Sequence, residues 1–451
     1  MIAADFAVRR IGLLATLAGP VPRLGVALRD LGLRRAVALA ASGGRIAWVG
    51  DEVDFDGAVA LSPSAAVLDA AGAAVVPGFV DSHTHLAFAG DRDDEIRRRL
   101  AGASYEEIAA AGGGIVRTVE ATRAASVEEL AGLIGSRLDE MLLCGTTTAE
   151  VKSGYGLETS AELRSLEAIR LAASRHAVSI VPTFLGAHEV PREHRANRAR
   201  YLEILVEEMI PEVAARGLAT FADVFCERGV FSVDESRRIL LAARERGMKL
   251  RLHADELATT GGAELAGELR ARSADHLVHV SEAGMRALAE AACVATLLPT
   301  AAFYLRLGRF APARALVDAG APVALASDVN PGGGLSPSLP YAMAIACFSM
   351  GLALEEALAA VTVNAAFSLD LSADVGSLEV GKRADVTVFD FDTVAPGPLR
   401  RLHDFPANGE RLTADQPVGM THTLVNGVPI RVDGATDDAG LASRPGTILR
   451  G

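Results

Sequence analysis

The sequence predicts an α/β protein: a (β/α)8, TIM-like barrel accompanied by a small β-sandwich domain assembled from both chain termini. Three observations carry this. Between Val75 and Asp328 short apolar runs alternate with longer segments of helical period, the pattern of parallel strands joined by covering helices. The runs number about eight, the count that closes a barrel of this kind. Such a barrel takes roughly 250 residues, and the chain left over at either end reads as β structure.

In chain order the strands are expected near Val75 to Val80, Thr146 to Val151, Val178 to Phe184, Phe221 to Phe225, Lys249 to His253, Ala274 to Leu277, Val294 to Leu298 and Val323 to Ser327. The connecting segments carry helix-start signals. Ser126 with Glu129 and Ser232 with Glu235 fit a capping box, and the first precedes the amphipathic run Leu130, Leu133, Ile134, Leu138, Met141. In the flanks, Arg45 to Gly50, Ala384 to Phe389 and Thr423 to Ile430 read as strands, with Asn426-Gly427 marking a hairpin turn. The expected division is residues 1–74 and 377–451 for the two halves of the small β domain and 75–376 for the barrel.

Composition narrows the function. Half of the 451 residues are hydrophobic, enough to bury a large core. A formal net charge of −13 disfavours binding to polyanions, so nucleic acid is not expected as a partner. Cys144, Cys226, Cys293 and Cys347 form neither a CxxC pair nor a secreted-scaffold pattern, which fits a reducing cytoplasm. The N-terminus shows no export signal, and no apolar stretch approaches the ~20 residues needed to span a bilayer, so no membrane association is expected.

His83-Thr84-His85 follows the first apolar run. On a strand, imidazoles at i and i+2 point the same way and one metal takes both. Alone the pair is weak, since two histidines near a turn are common. Further ligand types stand at later strand ends: His253, His276 and Asp328. In a closed barrel those ends share one mouth. His83, His85, His253 and Asp328 would give three nitrogens and a carboxylate and leave a position for water. A bound cation lowers the pKa of water from about 15.7 towards about 7; Asp328 then accepts the proton and His276 stabilises the developing oxyanion. A second ion is disfavoured, because the fourth strand ends in Val224-Phe225-Cys226-Glu227 and offers no lysine to bridge, only Cys226 or Glu227. Lys152, after the second strand, reads as a surface or substrate-neighbouring residue.

The blocks PGFVDSHTHLAFAGDR, SYEEIAAAGGGI, EVKSGYGLE, TFLGAHEVP, DVFCERGVFS, HADE, SADHL and ASDVNPGG resemble the imidazolonepropionase family over nearly the whole chain. The resemblance implies a hydrolase acting on the carbon-nitrogen bond of a cyclic amide, converting 4-imidazolone-5-propanoate to N-formimidoyl-glutamate in histidine breakdown. It also implies an amidohydrolase barrel holding one Zn or Fe ion per subunit, and a homodimer. By the same resemblance Arg92 holds the substrate carboxylate, Tyr105, Tyr155 and His188 contact the ring or product, Asn330 and Gly332 belong to the strand-eight binding loop, and Glu256 lies near the substrate and assists proton transfer.

Each of these residues also has a plainer reading. Arg92 would belong to the surface cluster with Arg97 to Arg99, the tyrosines would be packing aromatics, His188 a loop histidine bonded to backbone, and Glu256 a solvent-facing acid at a helix start. A departure from the family falls at Gly333, where a hydroxyl residue is usual. Backbone N–H groups or Ser336 would then hold the substrate carboxylate there, or affinity would be weaker. A deaminase of the same superfamily is the competing enzymatic reading, and Arg92 with the paired tyrosines argues against it. A non-catalytic scaffold would lack metal ligands, all of which are present.

Overall fold

A computed structural model describes residues 1–102, 114–390, 392–395, 397–405, 409–414, 417–447 and 449. Eight parallel strands form the barrel sheet in chain order: β1 (Phe79–Asp81), β2 (Thr146–Lys152), β3 (Ser179–Ala187), β4 (Phe221–Cys226), β5 (Lys249–Ala254), β6 (Ser273–His276), β7 (Val294–Leu297) and β8 (Val323–Leu325). Helices such as Val127–Leu143, Thr159–Ala173, Val233–Glu245 and Glu282–Ala291 cover the outside. Ser232 and Glu235 form the reciprocal capping box, whereas Ser126 makes only the single bond to Glu129 N.

The first expected strand is two strands. Ala74–Pro77 pairs antiparallel with Val386–Phe389, outside the barrel, and only Phe79–Asp81 pairs with β2. Gly78 is the joint. Its N–H bonds the carbonyl of Asp385, and a Cβ there would stand 2.3 Å from Thr147 Oγ1. A continuous apolar run hides this break, because the residues on both sides are buried and hydrophobicity alone does not say in which sheet.

Both termini contribute to the remaining sheets. One has four strands, in the order Arg45–Asp51, Val37–Ser42, Ile2–Ile11, Val59–Asp69. The other joins Ala435–Thr436, Val428–Val432, Met420–Val425 and Val386–Phe389 to Ala74–Pro77, Leu13–Ala15 and Leu33–Arg34. Their shared core contains Phe6, Val8, Val37, Leu39 and Ile46 with Val386, Val388 and Leu424, so N- and C-terminal segments need each other for burial. Asn426 and Gly427 both take positive φ between the hairpin strands, as the type I′ turn demands.

At the barrel seam, the loops after β8 and β1 meet through main-chain bonds: Asp328 N donates to His83 O at 3.1 Å, and His85 N to Val329 O at 2.9 Å. Ser327 N donates to the Asp81 carboxylate at 3.1 Å. The seam therefore brings the HxH segment and Asp328 side by side.

Candidate metal centre

His83, His85, His253, His276 and Asp328 are all buried and converge at the strand ends. His83 Nε2 and His253 Nε2 each lie 3.2 Å from His85 Nε2, and Asp328 Oδ1 lies 3.5 Å from His83 Nε2 and 3.4 Å from His85 Nε2. Donors held about 2.0–2.2 Å from a shared ion stand about 2.8–3.6 Å apart where their bonds meet at roughly 90–110°, so each of these four spacings fits one cation with a further position open to water.

Hydrogen bonding sharpens that test. His83 Nδ1 is 2.7 Å from Asp275 Oδ2, and His253 Nδ1 is 3.0 Å from Asp223 Oδ2. An ionised carboxylate only accepts, so each Nδ1 carries the hydrogen and each Nε2 turns a lone pair inward. Among the described residues Asp328 Oδ1 finds no protein donor. Lone pairs facing one another with a buried anionic oxygen are an unfavourable set unless a cation lies between them. Burial and the neighbouring positive groups hold His83 and His85 well below the usual imidazole range. Burial, with the charge of Glu256, pushes Asp328 well above the usual carboxylate range. His276 (φ 76°) and Asp328 (φ 52°) adopt left-handed backbone that side chains rarely take. Bonds across the seam hold Asp328 there.

His276 Nδ1 stands 3.5 Å from Glu256 Oε1. Glu256 is buried, not solvent-facing, and burial followed by the charge of Glu227 pushes it up to about 8. His188 stacks on His85 with ring centroids 5.1 Å apart and meets Tyr155 edge-on at the same distance. Its Nδ1 donates to the Gly154 carbonyl at 3.0 Å, which leaves Nε2 as an acceptor, and burial lowers its pKa to about 3. Arg92 is buried rather than on the surface, with Nε donating to Thr118 Oγ1 at 2.8 Å. Its Nη1 lies where a Cβ on Gly332 would be, 2.5 Å from that position, so this glycine keeps room for the guanidinium. Tyr105 lies outside the described residues.

The glycine loop differs from expectation. Gly332 N and Gly333 N both donate to Asn330 Oδ1, at 2.8 and 2.6 Å, and Asn330 Nδ2 donates to Asp328 O at 2.9 Å. Those N–H groups shape the loop and are not directed at a ligand. A side chain at Gly333 would meet Leu305, whose Cγ stands 3.0 Å from the Cβ position. Ser336 Oγ accepts from Ser338 N.

Lys152 is not a surface residue: it is fully buried, with Nζ 2.7 Å from Glu150 Oε1 and 2.8 Å from Asp223 Oδ2. Cys226 is buried, and burial raises its thiol to about 11. Glu227 accepts from Leu257 N and Arg228 N. Among the described residues the two ligand-competent triads share His83, and neither Cys226 nor Glu227 joins them.

The sequence reading missed Asp223, Asp275, Glu150, Arg251 and Thr118. A signal existed for the first four. Each is a charged residue inside an apolar strand run, as in FADVF, SADH, AEV and LRLH, and such residues are buried only when paired.

Residues 74–429 match the amidohydrolase family. The imidazolonepropionase of Symbiobacterium thermophilum is 53% identical over 390 residues, covering 86% of this chain and 92% of that protein. That of Geobacillus kaustophilus is 48% identical over 386 residues, covering 85% and 91%. Among solved structures, an adenosine deaminase from Xanthomonas campestris with bound zinc superposes with a TM-score of 0.67 at 19% identity, over 98% of this chain and 97% of that one, a similarity of fold alone. Identity at this level over most of both lengths, together with the strand-end histidines and aspartate, places the conclusion in one family: the chain belongs to the imidazolonepropionases, within the amidohydrolases.

Proposed function

We propose that this chain hydrolyses the ring amide carbon-nitrogen bond of 4-imidazolone-5-propanoate to give N-formimidoyl-L-glutamate, using one Zn or Fe ion per subunit held by His83, His85, His253 and Asp328. The observation that carries the reading is the convergence on His85: Nε2 of His83 and of His253 each stand 3.2 Å from its Nε2, and Asp328 Oδ1 stands 3.4 Å from it and 3.5 Å from His83 Nε2. When bound, such an ion acts as a Lewis acid and acidifies water at neutral pH.

The chain's own groups supply the rest. Asp328 takes the proton of the attacking water, and His276, beside Glu256, faces the oxygen on which negative charge develops. Glu256 delivers a proton to the ring nitrogen that leaves. Arg92, held through Nε by Thr118, offers its remaining N–H groups to the propanoate carboxylate. Tyr155 and His188 form a wall against the ring, and Asn330 with Gly332 shapes the loop beside Arg92. With Gly333 lacking a side chain and its N–H bonded to Asn330, the carboxylate rests chiefly on Arg92.

The small-molecule reaction suits a cytoplasmic homodimer in which the expected bounds of 1–74 and 377–451 for the β domain and 75–376 for the barrel shift at one point: Ala74–Pro77 joins the β domain and the barrel starts at Phe79. Four free cysteines support the compartment, and no described helix is long and apolar enough to cross a membrane. Metal-loaded protein should open the imidazolone ring without releasing ammonia and contain one ion per chain. Ammonia release from a purine, or two ions per chain, would reject the reading.

A further inference from the structure

Five fully buried charged residues lie behind the metal centre: Glu150, Lys152, Asp223, Arg251 and Asp275. They are three carboxylates and two cations. Asp223 and Asp275 touch the outer nitrogens of His253 and His83, as described above. Lys152 Nζ reaches Asp223 Oδ2 at 2.8 Å, Glu150 Oε1 at 2.7 Å and Asp275 Oδ2 at 3.9 Å, and so spans both carboxylates that orient the ligands. Arg251 closes the other side, with Nη2 3.3 Å from Asp275 Oδ2 and donating to Ser82 O at 2.7 Å.

The same end of β2 also grips the residue between the first two histidines. Lys152 N donates to Thr84 O at 3.0 Å, Thr84 N to Glu150 Oε2 at 3.2 Å and Thr84 Oγ1 to Glu150 O at 2.6 Å. One short segment thus fixes the main chain of the HxH turn and the ring orientation of two ligands contributed by other strands.

We propose that Lys152 is a positioning residue for the metal: by bridging Asp223 and Asp275 it keeps both aspartates aimed at Nδ1 of His253 and His83, and so presents two Nε2 lone pairs to a single ion. A compact ammonium with three rotatable donors on a flexible stem suits this place between carboxylates of three different strands. The arrangement also tallies in charge. The network carries one excess negative charge and Asp328 a second, which a divalent cation balances.

The inference rests on the ligand set proposed above, and the experiment separates the two. Metal-stripped full-length chain is titrated with zinc against a chelator, and the visible spectrum of the cobalt-substituted form is recorded, for wild type, Lys152→Met and the double variant Lys152→Met with Glu150→Gln. The double variant removes the lysine while keeping the network's net charge. Absence of zinc binding by the wild type would reject the ligand set itself. With the wild type binding one ion, both variants are expected to bind zinc ten- to a hundred-fold more weakly, the usual cost of losing an orienting partner, with a shifted cobalt spectrum. A double variant with wild-type affinity and spectrum would reduce the lysine to a neutraliser of Glu150 and overturn the assignment. Failure of both variants to fold would overturn it equally, by making the role structural.

Discussion

The barrel strands are built differently at their two ends. At the floor, Val80, Val181, Phe221, Val294 and Ala324 pack with Leu369, Leu371 and Leu449, and the C-terminal segment is tied on by Leu449 N donating to Ile180 O at 2.8 Å. At the mouth, β2, β4, β5 and β6 carry Lys152, Asp223, His253, Asp275 and His276, with His83 and Asp328 just beyond β1 and β8. Hydrocarbon at the floor is held by non-directional burial and tolerates imprecision. Charge at the mouth is favourable only when every partner is in place. The division assigns stability to one end and chemistry to the other.

The largest effect expected from breaking this division falls at the mouth. Asp328→Asn removes a charged ligand and the proton acceptor together, and should lower kcat/KM by about 10²- to 10⁴-fold, the range for loss of general acid-base assistance. Far-UV circular dichroism and the apo-protein melting midpoint should stay near wild type, because the amide has the carboxylate's shape and keeps one acceptor oxygen. Near-normal turnover would reject the mechanism.

The complementary change is at the floor. Leu369 is fully buried there, and Leu369→Ala should cost about 2–5 kcal/mol of unfolding free energy in urea. The zinc affinity and turnover of the folded protein should not change. A floor variant that weakens metal binding while folded would show that the two ends are mechanically coupled and that the division is too simple.

The sequence conveyed the two ends unequally. Strand alternation located β2 to β8 within a few residues, because parallel strands buried on both faces are continuous apolar runs and their separation by helices is repetitive. His83, His85, His253, His276 and Asp328 stood out because each is a ligand type at the end of such a run. What stayed hidden was conformational or depended on tertiary partners. The break at Gly78 needs the knowledge that Thr147 leaves no room for a side chain. The burial of Lys152 needs Asp223, 71 positions further along the chain, to be its partner. Loop N–H groups were one of the expected holders of the substrate carboxylate, but Asn330 takes those of Gly332 and Gly333 through a turn only two or three residues long. The last of these was the most accessible, since an Asn side chain accepting from N–H groups two residues on is a common local motif.

The β domain offers the finest test of the contrast, because it too buries a carboxylate, but without the pairing seen at the mouth. Asp385 accepts from Asn426 N at 2.6 Å through Oδ1, while Oδ2 has no donor among the described residues. Burial pushes its carboxyl from the ordinary 3.8 up to about 6, against the opposing pull of the Asn426 N–H and Arg383. The folded chain therefore holds this proton more tightly than the unfolded chain does. Its contribution to stability is complete below about pH 4 and is lost as the pH rises through about 6, an effect of at most about 3 kcal/mol. Asp385→Asn keeps the acceptor oxygen and has no charge to develop. Urea unfolding of both proteins from pH 4 to 7 should show wild-type stability falling relative to the variant across that window. Parallel curves would mean that Asp385 ionises in the fold without penalty, and that an unpaired buried carboxylate in the β domain is as well accommodated as the paired ones at the mouth.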